Sequence, residues 1–381
     1  MISLTPLTNG FAPSWQIDMS ERATALHSSP WLGTFYVTGG GASFLAETLN
    51  TAGASATVLE VVVPYANTAL TELLGRAPEQ AASATTARQL AITAYERSEA
   101  LTRQDPQSDT TKLFGFGCTA SLATNRVKRG AHRAHWAIQT AVDTYTFSAD
   151  YNGDRDSEEA LLREQIWQTI AHCLLDHNTE FDDNLVELHA RANPPLRPLL
   201  DETPYKHGIG DSEGRLLLPG SFNPVHDGHK QMLSIAENLT GLQGAFELAV
   251  KNADKPSLDY LTMEERIEGI GDTPVWLTNT PNFEGKAKLF KGTTFIVGVD
   301  TLARIGELRF YRNHVDLLDK AMNTFVEQDI AFVVFGRLIG DKFVTLEQLD
   351  IPDLLRLRCT GIAQDIYRND TSSTAIRNGN S

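Results

Sequence analysis

The feature that most constrains the fold is a series of short, nearly continuous apolar segments in the second half of the chain. The segments are RLLLP, FELAV, PVWLT, TTFIVG, IAFVVF and RLRCTG, between Arg215 and Gly361. Apolar runs of this kind are typical of strands buried on both faces, as in a parallel sheet covered by helices. Helical spacing after His226, around TMEERIEGI and VDLLDKAMNTFVEQ, and at the C-terminus predicts the covering helices. We therefore predict an α/β domain with a Rossmann-like parallel sheet, in which ligands bind outside the carboxyl ends of the strands.

The chain is long enough for two domains. Its 381 residues exceed one typical core. The stretch from Arg191 to Arg215 holds four prolines and three glycines and has no sustained helical or strand period. We therefore predict an N-terminal domain over residues 1–190, a linker over 191–213, and the parallel-sheet domain over 214–381.

The first half also alternates between strand and helix patterns. TFYVTG and TVLEVVV predict strands because β-branched residues suit a pleated surface, and ASFLAETLN between them predicts a helix. Further helices are expected over 85–102 and 157–175, and KLFGFGCTAS is expected to be a strand that runs into a glycine-rich turn. The pattern indicates a second α/β/α layered domain.

Composition restricts the partners and the compartment. The formal charge of −15 repels polyanions, so we expect neither nucleic acid nor an acidic membrane surface as a partner. Three widely spaced cysteines suggest no disulfide framework or zinc knuckle, and the N-terminus resembles no signal peptide. No apolar run approaches the length of a membrane span. We expect a cytoplasmic protein. Composition does not decide its oligomeric state, and a homo-oligomer is one of the alternatives.

The stretch GSFNPVHDGHKQM, Gly220 to Met232, follows the first strand of the predicted parallel sheet and carries His226 and His229. Two histidines at this spacing can bind a metal, hold a phosphate, or cap and pack a helix. A zinc site would favour His-Glu-x-x-His on one helix face, which this stretch lacks. Small residues beside a helix N-terminus instead favour a bound anion, to whose oxygens two imidazoles can donate hydrogen bonds.

A second motif, DTSSTAIR, lies near the C-terminus. Alone it predicts a capped terminal helix, with Arg377 four residues after Ser373 and therefore on the same helical face. Beside the histidine motif it is interpreted as a second phosphate clamp, in which hydroxyls and amides bind the phosphates and the guanidinium neutralises the leaving group.

Together the two motifs resemble those of the cytidylyltransferase-like nucleotidyltransferases, whose signatures are His-x-Gly-His and a distal Ser-Ser-Thr-x-x-Arg. The matching residues are His226, Gly228 and His229, then Ser372, Ser373, Thr374 and Arg377. The wording GSFNPVHDGH looks most like nicotinamide mononucleotide adenylyltransferases, and FIVGVD with Asp300 is similar to a further family turn.

The resemblance implies direct transfer of a nucleotidyl group from ATP to a phosphorylated acceptor, with Mg²⁺ accompanying ATP and no covalent enzyme intermediate. It implies that the histidines act on the α-phosphate, and that Ser372, Ser373 and Arg377 bind the β- and γ-phosphates. The other residues expected to bind the nucleotide are Gly220, Ser221, Phe222, Gly228, Asp300 and Thr374.

Three further residues each have two possible interpretations. Asp300 either orients the ribose or the metal, or caps the helix that starts at TLARIG. Lys255 and Arg266 either contact the acceptor phosphate or are solvated surface charges.

The N-terminal half resembles the C-terminal domain of CinA competence-related proteins, some of which are nicotinamide mononucleotide amidases. The similar pieces are TGGG, AGAS, VVVPYANTALTELLG and GFGCTASLAT, all within residues 31–175. Where those amidases have a serine this chain has Tyr36 and Val37, and Leu70 stands at the position of their lysine. A serine nucleophile without a base has little reactivity, so we expect a degenerate domain that binds a nucleotide or serves assembly. The alternative is that Ser43 or Thr38 takes the place of the missing serine as the nucleophile.

A basic cluster follows the glycine-rich stretch. The segment NRVKRGAHRAHW predicts an anion pocket, a solvated loop or subunit contact, or a metal site at His132 and His135.

The leading hypothesis is an adenylyltransferase that converts nicotinamide or nicotinic acid mononucleotide and ATP to a dinucleotide and pyrophosphate. The alternatives are transfer to another acceptor, such as phosphopantetheine or a sugar or polyol phosphate, and a nucleotide-binding scaffold without turnover.

Overall fold

The computed structural model describes residues 19–103, 112–125, 130–175, 181, 184–252 and 255–368. The chain divides into two compact units. The N-terminal unit comprises residues 1–70, 78–140 and 145–188, and the C-terminal unit comprises 71–77, 141–144 and 189–381. Both described units are layered α/β structures with parallel strands, which confirms the predicted fold class.

The first part of the chain forms one sheet with helices around it. Its elements in chain order are α1 (Met19–His27), β1 (Leu32–Thr38), α2 (Ala42–Asn50), β2 (Val58–Val62), α3 (Asn67–Leu73), α4 (Ala84–Arg103), β3 (Leu113–Ser121), β4 (His132–Thr140), β5 (Asp143–Tyr151), α5 (Arg155–Leu174) and β6 (Leu185–Arg191). The sheet order is β2-β1-β3-β4-β5-β6, with β1 parallel to β2 and β3, and β4 antiparallel to β3.

Strand β3 shows how the sequence places two layers on this sheet. Phe114, Phe116 and Cys118 are fully buried and belong to the main core with residues of α1, α2 and α5. Gly115 and Gly117 alternate with them, and an added Cβ would lie 2.1 Å from the Ala91 carbonyl oxygen at the first and 2.4 Å from that of Ala87 at the second. These two glycines therefore let α4 lie directly on the strand. The expectation that they form a turn was wrong, since their function is close packing.

The second part of the chain forms the predicted parallel sheet. After a 3-10 helix at Pro194–Leu199, its elements are β7 (Lys206–Ile209), β8 (Leu216–Gly220), α6 (Asp227–Thr240), β9 (Gly244–Ala249), α7 (Tyr260–Ile270), β10 (Val275–Thr278), α8 (Phe283–Leu289), β11 (Thr294–Gly298), α9 (Val299–Ile305), α10 (Val315–Glu327), β12 (Ala331–Phe335), β13 (Arg337–Ile339), β14 (Lys342–Val344), α11 (Asp353–Arg356) and β15 (Cys359–Ile362), with short 3-10 helices at Leu308–Tyr311 and Leu346–Gln348.

The strand order of this sheet determines where a ligand can bind. The order is β15-β12-β11-β8-β9-β10-β7, and only the edge strand β7 is antiparallel to its neighbour among the pairings described. The chain leaves β8 in one direction toward β9 and β10, and later returns to the other side of β8 with β11 and β12. The order thus reverses between β8 and β11, and the crevice at such a reversal is the usual ligand site of an open parallel sheet.

The segment predicted as a linker is partly structured. Its residues 206–209 form β7, which pairs with β10 in the C-terminal sheet. The prolines and glycines of this segment obscured a four-residue strand, which is too short to show a period.

Candidate functional site

The histidine turn lies at the carboxyl end of β8, beside the strand-order reversal. Strand β8 ends at Gly220, and α6 begins at Asp227 with His226 as its N-cap residue. The turn therefore leads from a central parallel strand to the N-terminus of a 14-residue helix, whose dipole favours an anion at this end.

Phe222 shapes this turn. Its backbone has a φ of 44°, which is unusual for a residue other than glycine, and its side chain is buried. The ring lies 4.6 Å from that of Phe246 and 5.3 Å from the imidazole of His229, between ring centroids. A Cβ at Gly220 would lie 2.7 Å from the Phe222 ring, so a larger residue there would displace this ring. Phe222 thus packs against the imidazole of His229, whereas Ser221 is exposed.

The two histidines form one unit. Their ring centroids are 3.8 Å apart with an interplanar angle of 30°, so the imidazoles stack. The backbone amide of His226 donates to Nδ1 of His229 at 3.3 Å. Because Nδ1 accepts this bond, the neutral imidazole of His229 carries its hydrogen on Nε2. His229 is therefore prepared to donate a hydrogen bond from Nε2.

Both imidazoles are neutral at physiological pH. Burial and, to a smaller extent, the neighbouring His226 lower the pKa of His229 to about 4. Burial also lowers the pKa of His226, Asp227 raises it, and the charge of Arg337 lowers it. The pair therefore offers hydrogen-bond donors without positive charge, until a bound anion raises these pKa values.

Asp300 lies beside the same crevice. It is in the first turn of α9, whose N-cap residue is Gly298, so the helix cap is not provided by Asp300. Its carboxylate forms an ion pair with Arg337, Oδ2 to Nη1, at 3.1 Å. Arg337 is the first residue of β13, and its charge reaches His226. Arg337 was not among the predicted site residues. The Ile-Gly-Asp-Lys stretch at the turn of this short hairpin was the available signal.

The two expected acceptor contacts differ in position. Arg266, on α7, donates from Nη1 to the carbonyl oxygen of Phe222 at 3.3 Å and thus joins the histidine turn. Lys255 is exposed in the segment between β9 and α7.

The chain returns to the histidine turn near its C-terminal end. The hydroxyl of Tyr367 donates to the carbonyl oxygen of Gly228 at 3.4 Å, and its ring packs on that of Phe335 at 4.9 Å. Gly228, between the two histidines, is itself buried. The predicted clamp residues Ser372, Ser373, Thr374 and Arg377 lie outside the described residues.

Over the described ranges, no group of three or more His, Cys, Asp or Glu side chains is arranged to hold a metal ion. Over the same ranges, no helix has both the length and the apolarity that crossing a membrane requires.

The N-terminal unit has its own glycine turn and helix start. After β1, Gly39–Gly41 leads into α2. The carboxylate of Glu159 accepts hydrogen bonds from the amides of Gly41 and Ser43 and from the Ser43 hydroxyl, each at 3.0 Å. An anion of the protein itself therefore occupies this helix N-terminus.

Other predicted residues of this unit have structural partners. The Thr38 hydroxyl donates to the carbonyl oxygen of Pro64 at 3.0 Å, and Leu70 is buried in α3. The segment predicted as an anion pocket, a solvated loop or subunit contact, or a metal site enters β4 at His132. Nδ1 of His132 is 2.6 Å from the buried carboxylate of Glu158, and Nδ1 of His135 is 2.7 Å from the hydroxyl of Ser148.

A cavity of about 420 Å³ opens in the same unit. It is lined by the ends of β1 and β3 and by Arg133 and Arg155. Part of the basic cluster, residues 126–129, lies outside the described residues.

Comparisons with known proteins address both halves of the chain. Residues 217–379 match the cytidylyltransferase-like family. No curated protein matches the chain.

Among solved structures, the N-terminal part is similar to the competence/damage-inducible protein CihA from Agrobacterium tumefaciens, at 21% identity over 47% of this chain and 100% of that one, with a TM-score of 0.31. It is also similar to a CinA superfamily protein from Escherichia coli, at 16% identity over 38% of this chain and 81% of that one, with a TM-score of 0.30. A competence or damage-inducible protein from Enterobacter asburiae gives 16% identity over 42% and 97% of the two chains, with a TM-score of 0.31. These matches agree with the resemblance seen in the sequence and carry no conclusion about activity.

Proposed function

We infer that the C-terminal unit is a nucleotidyltransferase, because residues 217–379 match the cytidylyltransferase-like family. We propose that the C-terminal unit transfers the adenylyl group of ATP to nicotinamide or nicotinic acid mononucleotide, giving the dinucleotide and pyrophosphate. The observation that carries this proposal is the stacked pair His226–His229 at the N-terminus of α6, beside the strand-order reversal.

The reaction suits a site of this kind. A phosphate oxygen of the acceptor attacks the α-phosphorus of ATP and forms the new P–O bond. The bond between the α-phosphorus and the bridging oxygen to the β-phosphate breaks, and pyrophosphate leaves with the electron pair. A phosphate monoester is largely a dianion at neutral pH, because its second pKa is about 6, so the attack needs no general base. The protein must position two anions and stabilise the charge that develops between them.

The histidine pair supplies that stabilisation as preorganised donors. His229 presents Nε2–H because its Nδ1 is held by the amide of His226. Stacking and the Phe222 ring restrict both imidazoles before the substrate arrives, so little reorganisation is needed. The amides of the first turn of α6 and the positive end of its dipole add to the attraction for phosphate.

The second motif is proposed to bind the β- and γ-phosphates. The hydroxyl of Tyr367 donates a hydrogen bond to the carbonyl oxygen of Gly228, between the two histidines. Ser372 follows five residues later, which an extended chain spans in at most ~18 Å. Chain length therefore permits Ser372, Ser373, Thr374 and Arg377 to reach the phosphates bound at α6.

Mg²⁺ is proposed to enter with ATP as part of the substrate. Mg²⁺ commonly keeps several waters and binds through substrate phosphates with one or two carboxylates, so it needs no dedicated protein cage. Asp300 is the carboxylate beside the crevice that suits this function, and its half-exposed position leaves it accessible.

The choice of acceptor rests on sequence resemblance. The wording GSFNPVHDGH is similar to that of nicotinamide mononucleotide adenylyltransferases, and the N-terminal half resembles a family that includes amidases of the same mononucleotide. This is an argument from analogy. For the N-terminal unit we propose a degenerate amidase-like domain, and for the whole protein a cytoplasmic location.

The test is an assay of pyrophosphate release by the full chain with Mg-ATP and one acceptor at a time. The acceptors are nicotinamide mononucleotide, nicotinic acid mononucleotide, phosphopantetheine and a set of sugar and polyol phosphates. We expect release with a pyridine mononucleotide. Release with another acceptor only would replace the proposed substrate, and nucleotide binding without release under any condition would replace catalysis by a binding function.

A further inference from the structure

The ion pair between Asp300 and Arg337 stands at the end of the two strands that face the histidine turn. Strands β11 and β12 are parallel neighbours, and Gly298 is level with Phe335. Asp300 and Arg337 each lie two residues beyond this pair. On the other side, β11 pairs with β8 at Thr294–Leu216 and Phe295–Leu217, and the two strands are parallel. The ion pair therefore follows the carboxyl ends of β11 and β12, at the same edge of the sheet where β8 leads into the histidine turn.

Both partners of the ion pair remain accessible to a ligand. The Arg337 side chain is 49% exposed and that of Asp300 is 37% exposed. An exposed pair of this kind is worth little on its own, so an anion of higher charge can displace the carboxylate at small cost. Arg337 is also the first residue of a short two-stranded hairpin, β13–β14.

The charge balance of the site gives Arg337 a function. The two histidines are neutral, yet a nucleoside triphosphate and a phosphate monoester must approach each other beside them. Neutral donors orient phosphate oxygens but do not cancel the repulsion between two anions. The guanidinium of Arg337 is the described positive charge that reaches His226, and a guanidinium binds two phosphate oxygens in one plane.

The geometry points to Arg337 as a phosphate-binding residue that exchanges Asp300 for a substrate phosphate at the histidine turn. The carboxylate of Asp300 holds the guanidinium at 3.1 Å. When phosphate binds, Arg337 moves its hydrogen bonds to the phosphate oxygens, and Asp300 is released for the ribose or for the ion that accompanies the triphosphate. This inference rests on the proposed function for the identity of the substrate, but its test does not require turnover.

The first experiment measures binding calorimetrically with ligands that do not react. The probes are the Mg²⁺ complex of α,β-methylene ATP and, separately, nicotinamide mononucleotide. We expect Arg337→Gln to weaken binding of at least one probe by tenfold or more, and Arg337→Lys to recover part of the loss. The affected probe identifies which phosphate Arg337 contacts. Lys288→Gln is the matched control, because it removes one exposed positive charge with a carboxylate partner on α8. Equal affinity of wild type and Arg337→Gln for both probes would overturn the inference.

The second experiment tests the exchange itself with Mg²⁺-tripolyphosphate, which has no ribose. Asp300→Asn removes the competing carboxylate, so we expect it to tighten binding of this probe by about two- to fivefold, the range that an exposed ion pair allows. In the Arg337→Gln background most of that gain should disappear. A gain of the same size in both backgrounds would mean that Asp300 acts through its own charge, and the exchange would be rejected.

A readout in the ligand-free protein separates this inference from the proposed function. Removing Arg337 should raise the pKa of His226, because its charge lowers that pKa in the wild type. An NMR titration of the histidine ring signals in wild type and Arg337→Gln measures the change. If the pKa of His226 rises and phosphate probes bind more weakly, the inference stands even when no acceptor supports pyrophosphate release.

Discussion

The two units each contain a helix that starts after a strand with parallel neighbours, and the two helix starts differ in what occupies them. In the N-terminal unit, the amides of Gly41 and Ser43 at the start of α2 are bonded to the carboxylate of Glu159. In the C-terminal unit, the start of α6 carries two stacked neutral imidazoles and Asp227 in its first turn, and in the contacts described no carboxylate accepts a hydrogen bond from its backbone amides. The α2 amides are thus bonded to a carboxylate of another helix, whereas the α6 start is proposed to bind a ligand.

The difference shows that a glycine turn before a helix is insufficient to identify an anion site. Glu159 is separated from Ser43 by 116 positions, so the local sequence of TGGGAS cannot reveal that its amides are occupied. The histidine turn differs because its functional groups are in the turn itself. The contrast predicts that substitutions at α6 change chemistry and substitutions at α2 change stability.

The largest effect is expected from His229→Ala. Loss of one preorganised donor to the transferring phosphate should lower turnover by about a hundredfold or more, since this is the usual cost of removing one transition-state donor. The measurement is kcat for pyrophosphate release with the accepted substrate. Lys230→Ala, an exposed residue next in the helix, is the control and should retain wild-type kcat. Circular dichroism checks that both variants are folded, and near-normal activity of His229→Ala would show that the site is elsewhere.

Glu159→Gln should have the next largest effect, and on stability rather than on transfer. The carboxylate accepts three hydrogen bonds, two of them from backbone amides at a helix N-terminus. Its loss leaves donors without an ionised acceptor, which costs about 1–3 kcal/mol of unfolding free energy. Urea denaturation of the full chain measures the change for the N-terminal unit. Asp156→Asn, an exposed carboxylate in the first turn of the same helix, should cost less than about 1 kcal/mol. Equal losses in the two variants would mean that the α2 start is not specifically occupied by Glu159.

The histidine pair should make the C-terminal unit sensitive to acid. The pKa of His229 is lowered from 6.5 to about 4 in the folded protein. The unfolded chain therefore binds a proton at a higher pH than the folded one, and the stabilisation is fully present above pH 6.5 and is lost as the pH falls toward 4. By pH 5 the loss reaches up to about 2 kcal/mol.

Unfolding free energies at pH 7.5 and pH 5 test this in wild type and His229→Gln. The variant should lose less stability over this interval, because the titrating imidazole is gone. The same pH dependence in both proteins would assign the acid sensitivity to other groups. Bound triphosphate should reverse the effect of acid, since an anion raises the pKa values of both imidazoles.

Much of the fold was predictable because its signals are local. The apolar strands and their helices gave the parallel sheet, and the predicted helix ASFLAETLN coincides with α2. The β4–β5 hairpin was missed because its first strand begins in a basic segment, His132 to Thr140, whose charges masked the strand pattern. Gly115 and Gly117 were misinterpreted because their purpose, the close approach of α4, depends on a partner helix.

The candidate site was predictable to a similar extent. His226, His229 and Phe222 lie in one turn, and the structure brings them together. Arg337 was missed because it is more than 100 residues away from His226 and His229 in sequence. Only the folded sheet, in which β8, β11 and β12 are neighbours, brings it to the same edge as the histidine turn. Residue type and spacing identify groups within one loop, but tertiary structure determines which distant charge completes the site.

The smallest effect is expected from Ser43→Ala, and it tests the N-terminal side of the comparison most directly. The Ser43 hydroxyl donates to Glu159, and the two amide bonds to the same carboxylate remain when the hydroxyl is removed. The loss of one such bond costs about 0.5–1.5 kcal/mol of unfolding free energy. Pyrophosphate release should not change.

An ammonia assay with nicotinamide mononucleotide gives the decisive arm of this test. We expect no ammonia from the wild type, because Leu70 stands where the amidase-like pattern has a lysine, and the Ser43 hydroxyl is bonded to a carboxylate, which is a weak base for an alcohol. Ammonia release by the wild type that disappears in Ser43→Ala would mean that Glu159 activates Ser43 rather than closing the helix start. The start of α2 would then be a second catalytic site. Both units would be catalytic, and they would differ only in the reaction that each performs.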